Sequence, residues 1–348
     1  MAEIVLGIGT SHTPLLSLPA EMWPEYAKRD RNNPELLTPE GVRLTYDELL
    51  ARADPAIATK ATPEQFNDQY ARAQKAIGTL EQTLARAAPD AVVIISDDQD
   101  EILFDDNMPS FAVYWGESLR ILPRRFSDSA PDVMKAASWG YGDKEVDVPV
   151  DSALGKHLIE YLIDVDFDIA HMRYLRDEYG GRIGPAGYVD RVRETQTKPQ
   201  GMPHGYSFVV RRIMNGNVRP IVPLLQNTCY PPNQPTPHRC YALGKALRAA
   251  IEAWDADKRV AVVASGGLSH FVVDEELDRM VIRGMQEKDG ELLSSLPRNR
   301  LDSATSETRN WITAAGAMEH LDFKLIDYLP GYRTPAGTGG GWCFGTWS

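Results

Sequence analysis

Short runs of apolar, β-prone residues recur along the chain, with stretches of helical period between them. The runs are Ile4–Ile8, Ala91–Ile95, Phe111–Tyr114, Phe167–Ala170, Arg219–Leu225, Val260–Ala264 and Phe323–Tyr328. Each has the length and apolar content of a buried strand. Between them, Thr62–Ala88, Ser152–Ile163, Cys240–Trp254, Asp274–Leu293 and Ser303–Met318 space their apolar residues as helices do. Thr62 is placed to cap the first of these, with Pro63 and Glu64 in its opening turn. Alternating strands and helices predict an α/β fold: a single sandwich-like domain over residues 1–348, with a central mixed β-sheet flanked by helices. In such sheets, sites gather where loops leave the strand ends.

Two stretches depart from this rhythm. Trp23–Thr59 is polar and rich in proline and charge, and Leu36–Leu44 within it reads as a small hairpin turning at Pro39–Gly41. The stretch is an insertion over the sheet, either a plain surface excursion or a lid. Pro330–Ser348 is dense in glycine and aromatics. Tyr332, Trp342, Phe344 and Trp347 give this tail enough apolar area to dock on the body of the protein.

Composition narrows the class. With 348 residues, 43% hydrophobic and 25% charged, the chain reads as an ordinary soluble globular protein able to bury a large core. Its apolar runs fall far short of the roughly 20 residues of a membrane span. The first strand follows without a basic leader, which points to the cytoplasm. A net charge of −12 argues against a nucleic-acid partner. Cys229, Cys240 and Cys343 fit no paired framework and no CxxC spacing, and read as reduced thiols.

The chemistry sits at strand ends. The first strand runs into Gly7-Ile8-Gly9-Thr10-Ser11-His12-Thr13-Pro14, which lacks the GxGxxG order and the lysine of phosphate loops. The second runs into Ser96-Asp97-Asp98-Gln99-Asp100-Glu101. Acids crowded beside a buried strand need a cation or hydrogen-bond donors to offset their repulsion; a solvated acidic loop is the plainer reading. After Val260–Ala264 comes Ser265-Gly266-Gly267-Leu268-Ser269-His270, and Asp274, Glu275, Glu276 and Asp278 open the next helix. The helix dipole by itself favours acids there. His204 lies between Pro203 and Gly205 in a stiff turn that suits a fixed acid/base group. Each signal is weak alone, but their recurrence beside separate strands points to a shared cleft. His157, His171, His238 and His320 are assigned to structure.

These pieces, taken in order, resemble the class III extradiol ring-cleavage dioxygenases, and among them the catalytic beta subunit of protocatechuate 4,5-dioxygenase. The likeness rests on Gly7–Pro14, Val92–Phe111 with its Pro-x-Phe, His204-Gly205, the Tyr230-Pro231-Pro232 loop leading to Arg239–Gly244, and Gly266–His270 followed by Glu276-Leu277-Asp278. In that family two histidines and a glutamate hold Fe(II) and leave a face open for substrate and dioxygen. The resemblance implies His12 and Glu276 as metal ligands, with Glu275 a competing carboxylate. It implies His204 as the acid/base histidine and His270 as a substrate-contacting or supporting residue. The family's second ligand histidine falls on Gln99, and no histidine lies between His12 and His157. Gln99 would ligate as a neutral oxygen donor, or Asp98 or Asp100 would supply a second carboxylate and favour Mn(II) or Mg(II).

The resemblance thus implies an Fe(II)-dependent enzyme opening a catechol-like or hydroxypyridone-like ring with O2. Alternatives are a non-oxidative hydrolase or lyase on the same scaffold, and a non-catalytic partner subunit or aromatic-ligand-binding protein. In the protocatechuate enzyme it resembles, a small second subunit covers the active site; with Trp23–Thr59 able to do that job within one chain, the resemblance implies a homodimer active without such a subunit.

Overall fold

The computed structural model describes all residues except 105–106, 125, 127 and 177–198. Its strands are β1 (Glu3–Thr10), β2 (Leu36–Leu37), β3 (Arg43–Leu44), β4 (Ala91–Ser96), β5 (Phe111–Tyr114), β6 (Ser118–Ile121), β7 (Val146–Pro149), β8 (Ala170–Met172), β9 (Ile221–Gln226), β10 (Arg259–Ser265), β11 (His270–Val272), β12 (Phe323–Tyr332) and β13 (Thr338–Trp347). Nine of them form one mixed sheet in the order β11-β13-β1-β10-β4-β9-β5-β8, with β12 also paired to β13. The centre is parallel: β1 pairs β10, β10 pairs β4 and β4 pairs β9.

Side chains alternate across this sheet as the two-residue period of a strand requires. Val93 and Ile95 face one core with Leu158, Leu247, Ile251 and Trp311; Val92 and Ile94 face the other with Phe66, Ile77, Leu80 and Phe208. Helices therefore cover both faces, which explains the continuous apolar runs of the central strands. The helix Pro63–Ala87 covers one face and begins as expected, with the Thr62 side chain accepting from Gln65 N–H. Ser152–Asp164, Pro237–Ala253 and Thr308–Ala317 cover the other. Among the described residues no helix is long and apolar enough to cross a membrane. All three cysteines are buried and free of disulfides.

Four elements differ from the sequence expectation, the first being the strand read over Phe167–Ala170, which is Ala170–Met172 and only partly buried. The helix read over Asp274–Leu293 is two, Glu275–Gln286 and Gly290–Ser294, broken where Lys288 takes a positive φ. The helix read from Ser303 starts as a 3₁₀ turn, Ser303–Glu307, before the α-helix Thr308–Ala317. The aromatic tail is the inner strand β13, joining β1 to β11 along one edge and pairing β12 along the other. Its glycines hide the strand period, while Trp342, Phe344 and Trp347 are buried and each removes roughly 150–250 Å² from water.

The hairpin expected within Trp23–Thr59 is present: β2 pairs β3, and Gly41 N–H donates to Thr38 O at 2.8 Å. It is anchored on the body. Leu36, Leu44, Tyr46 and Leu49 pack with Val272 and Ala336. Asp30 forms a buried, two-bond ion pair with Arg333 and accepts from Thr338 Oγ1.

Candidate metal centre

The carboxyl ends of β1, β10 and β4 lie side by side: Thr10 pairs Ser265, and Ala264 pairs Ile95. The loops leaving these strands carry His12, the Gly266–Ser269 turn and the Asp97–Glu101 segment to one place. In parallel sheets, ligand sites form outside this end of the strands. A fourth contribution comes from the turn before the helix Thr308–Ala317, which lays Glu307, Asn310 and Trp311 on the same spot. Asn310 Nδ2 donates to Ser265 O at 3.1 Å and to Asp97 Oδ1 at 3.3 Å, and Trp311 Nε1 donates to Gly266 O at 2.8 Å.

At the centre, ligating atoms of His12, Asp97 and Glu307 lie within 4.8 Å of one another, and all three residues are buried. His12 Nδ1 is 2.9 Å from Ser265 Oγ, and that hydroxyl donates to Gly205 O at 2.7 Å. A serine hydroxyl has one proton, so Ser265 Oγ accepts from His12 Nδ1–H and leaves Nε2 as the bare nitrogen. Among the described residues Nε2 has no hydrogen-bond partner, and it faces Glu307 Oε2 at 3.6 Å. Only glycine fits at 205, because a Cβ there would stand 2.1 Å from Ser96 Oγ and 3.0 Å from the His12 ring.

The charges are arranged for a cation. Burial would raise the Glu307 pKa, but His12 and His270 hold it well below the carboxylate range. Burial, then the charge of Glu307, raises that of Asp97. Burial would lower the His12 pKa, yet Glu307 and Asp97 raise it. A buried imidazole nitrogen without a partner, beside two buried carboxylates, is a donor set suited to a divalent metal.

The sequence-expected residues fall into two groups. His12, Gln99, His204 and His270 come together here. Gln99 arrives through its amide nitrogen, which donates to Asp97 Oδ2 and Glu307 Oε1, both at 3.0 Å. It ties the two carboxylates together rather than presenting its carbonyl oxygen. Glu276 is not brought in. Its side chain is 77% exposed on the helix Glu275–Gln286 and lies 3.5 Å from Arg300 Nη2. Glu275 is held by Lys60, Tyr332 and Arg279.

Asp98 and Asp100 also stay outside the cluster. Asp98 accepts from the backbone N–H groups of Glu101, Ile102 and Leu103 and so shapes the loop. Asp100 accepts from Tyr230 Oη at 3.0 Å.

Four residues were missed from sequence: Asp97, Glu101, Glu307 and Asn310. For Glu307 and Asn310 a signal existed. They lie three apart in the stretch read as the helix Ser303–Met318, on the side that also carries Trp311, Ala314 and Met318.

His204 stands beside the cluster, its ring 4.7 Å from that of His12 and edge-on to it. Its Nδ1 is 2.7 Å from Glu101 Oε2, which also accepts His204 N–H at 3.0 Å. The carboxylate can only accept, so Nδ1 carries the proton and Nε2 is left for chemistry. Tyr141 Oη donates to His12 O at 2.6 Å and packs against the His204 ring.

A family model described as the catalytic LigB subunit of aromatic ring-opening dioxygenase matches residues 54–327. The chain belongs to this family. The LigB match contains Asp97, Glu101, His204, His270 and Glu307 and begins after His12. A gallate dioxygenase from Pseudomonas putida is 58% identical over 41 residues, a stretch that makes up 12% of this chain and 12% of that protein. The solved structure of an uncharacterized protein from Escherichia coli aligns with 79% of this chain and 92% of that one, at 14% identity and a TM-score of 0.44. The LigB family is described as the catalytic subunit of aromatic ring-opening dioxygenases.

Proposed function

We propose that this protein is an Fe(II)-dependent extradiol-type dioxygenase that opens a catechol-like or hydroxypyridone-like ring, with the metal held by His12, Asp97 and Glu307. The observation that carries the reading is the unpartnered, buried Nε2 of His12 facing two carboxylates. Bound Fe(II) supplies the redox chemistry that couples dioxygen to an electron-rich ring. His204, oriented by the Glu101 bond at Nδ1, presents Nε2 to remove the proton of a ring hydroxyl and later return it. Gln99 and Asn310 keep the carboxylates in place by donating to them. Burial of the cluster excludes water from the reacting atoms.

The segment Trp23–Thr59 serves in this reading as a fixed wall. It packs on Val272 beside His270, and Ser303 Oγ, near Glu307, donates to Glu35 O. The protein then works in the cytoplasm as a homodimer without a separate small subunit. The test is anaerobic reconstitution with Fe(II), then oxygen uptake across a panel of catechols and hydroxypyridones. Stoichiometric uptake with ring opening by the purified chain alone is expected; no uptake across the panel overturns the reading.

One observation favours a second reading. Two carboxylates and one imidazole make a hard donor set that suits Mn(II) or Mg(II) and non-oxidative hydrolysis or carbon–carbon cleavage. Turnover that persists under strict anaerobiosis would select it.

A further inference from the structure

We propose that Gln226 and Thr313 are positioning residues of the metal centre, acting through Asn310 to hold and aim the Asp97 carboxylate. The inference deepens the metal-dependent reading above and rests on it. Asn310 Nδ2 lies 3.1 Å from Ser265 O and 3.3 Å from Asp97 Oδ1. A backbone carbonyl only accepts, so the amide nitrogen, not the amide oxygen, faces the cluster. Asn310 Oδ1 is thereby turned away, and it accepts from Gln226 Nε2 at 3.1 Å. Gln226 Oε1 in turn accepts from Thr313 Oγ1 at 2.7 Å. Donation therefore runs one way, from Thr313 through Gln226 and Asn310 to Asp97. The last acceptor is a carboxylate oxygen of the His12–Asp97–Glu307 cluster.

The relay spans two elements. Gln226 ends β9, the strand beside β4, whose chain continues directly into Asp97. Asn310 and Thr313 lie about one turn apart on the helix Thr308–Ala317 and so share a face. All three side chains are buried. A buried amide or hydroxyl left without a partner is costly, so no member turns without stranding its neighbour. Reversing Asn310 would bring its oxygen against Asp97 Oδ1 and Ser265 O and set its nitrogen against that of Gln226. Ser265 is a second target of the relay: its carbonyl accepts from Asn310, and its hydroxyl accepts from His12 Nδ1–H. One amide thus fixes both the carboxylate and the residue that orients the imidazole. Gln99 Nε2 donates to the other Asp97 oxygen at 3.0 Å, so oriented amides hold the carboxylate at both ends.

The test is anaerobic Co(II) titration of wild type, Gln226→Met, Thr313→Val, Thr313→Ser and Ile312→Val, read by visible absorption, with urea unfolding of each protein alongside. Ile312→Val trims a buried side chain of the same helix that makes no bond in the relay. Gln226→Met should weaken Co(II) binding by about 10–100-fold and change the visible spectrum, the scale of losing a hydrogen-bonded partner behind a ligand. Thr313→Val should move both in the same direction but less, and Thr313→Ser, which keeps the hydroxyl, should restore both. Ile312→Val should lose stability while keeping wild-type affinity and spectrum. Wild-type affinity and spectrum in a folded Gln226→Met, or a Thr313→Ser no closer to wild type than Thr313→Val, overturns the proposal. So does a loss of affinity in Ile312→Val as large as in the relay variants, which would make the effect one of general packing. If wild type itself binds neither Co(II) nor Fe(II), the metal-dependent reading has failed and takes the relay with it; relay variants that bind as wild type does sink the relay alone.

Discussion

Glu307 and Glu276 show how far burial separates two carboxylates of the same chemistry. Glu307 is buried against His12, Gln99 and the Gly267 backbone, so its charge is fixed and directed. Glu276 is exposed, and its contact with Arg300 is a surface pair of the kind that contributes little. Glu307→Gln should therefore cut bound metal, measured by elemental analysis after gel filtration, to a small fraction of wild type. It should lower the turnover proposed above by about a hundred- to a thousandfold, the scale of losing a central electrostatic group. Glu276→Gln should leave both within about twofold. The reverse pattern would restore Glu276 as the ligand.

At the scale of elements, the site is assembled from loops that would be mobile without their anchors. Asp98 closes its loop by accepting three backbone N–H groups. The Trp23–Thr59 segment is tied to β13 through Asp30, Arg333 and Thr338, all buried. Removing one partner of a buried pair strands the other charge. Arg333→Met should cost about 3–5 kcal/mol in denaturant unfolding. It should also raise hydrogen exchange in residues 23–59 before the central strands exchange. Unchanged protection there would mean that the Leu36–Leu49 packing on Val272 and Ala336 holds the segment by itself.

For the whole molecule, one buried carboxyl away from the His12–Asp97–Glu307 cluster couples stability to pH. Asp278 lies between the helix Glu275–Gln286 and the sheet, accepting from Ser269 N–H, Ser269 Oγ and Tyr328 Oη. Burial outweighs these donors and pushes its pKa up to about 7. The folded protein then binds this proton more tightly than the unfolded chain. The stability it contributes is full below pH about 4 and is lost as pH rises to about 7. Asp278→Asn removes that dependence, so urea unfolding should show the variant gaining on wild type across this window and a constant difference above it. A wild type that instead gains on the variant with rising pH would mean that the three donors win and the carboxylate is ionised.

The α/β class, six of the seven apolar runs, the Thr62 cap and the small hairpin were legible in the chain because each is written in local period or turn chemistry. His12, Gln99, His204 and His270 were legible as candidates because each sits in a short loop or turn beside a strand. The glycine-rich β13 was not, since a strand without alternating side chains carries no period. Glu276 and Glu307 could not be ranked from sequence either. Both open helices, where the dipole favours acids, and only the packing of the helix Thr308–Ala317 across the ends of β1, β10 and β4 decides which carboxylate is buried. The directions of Gln99 and His270 were likewise settled by partners distant along the chain, Glu307 and Thr305. Sequence determined which donors exist and near which strands they lie; tertiary structure decided which of their atoms face one another, because that depends on contacts between residues from about 35 to about 200 positions apart.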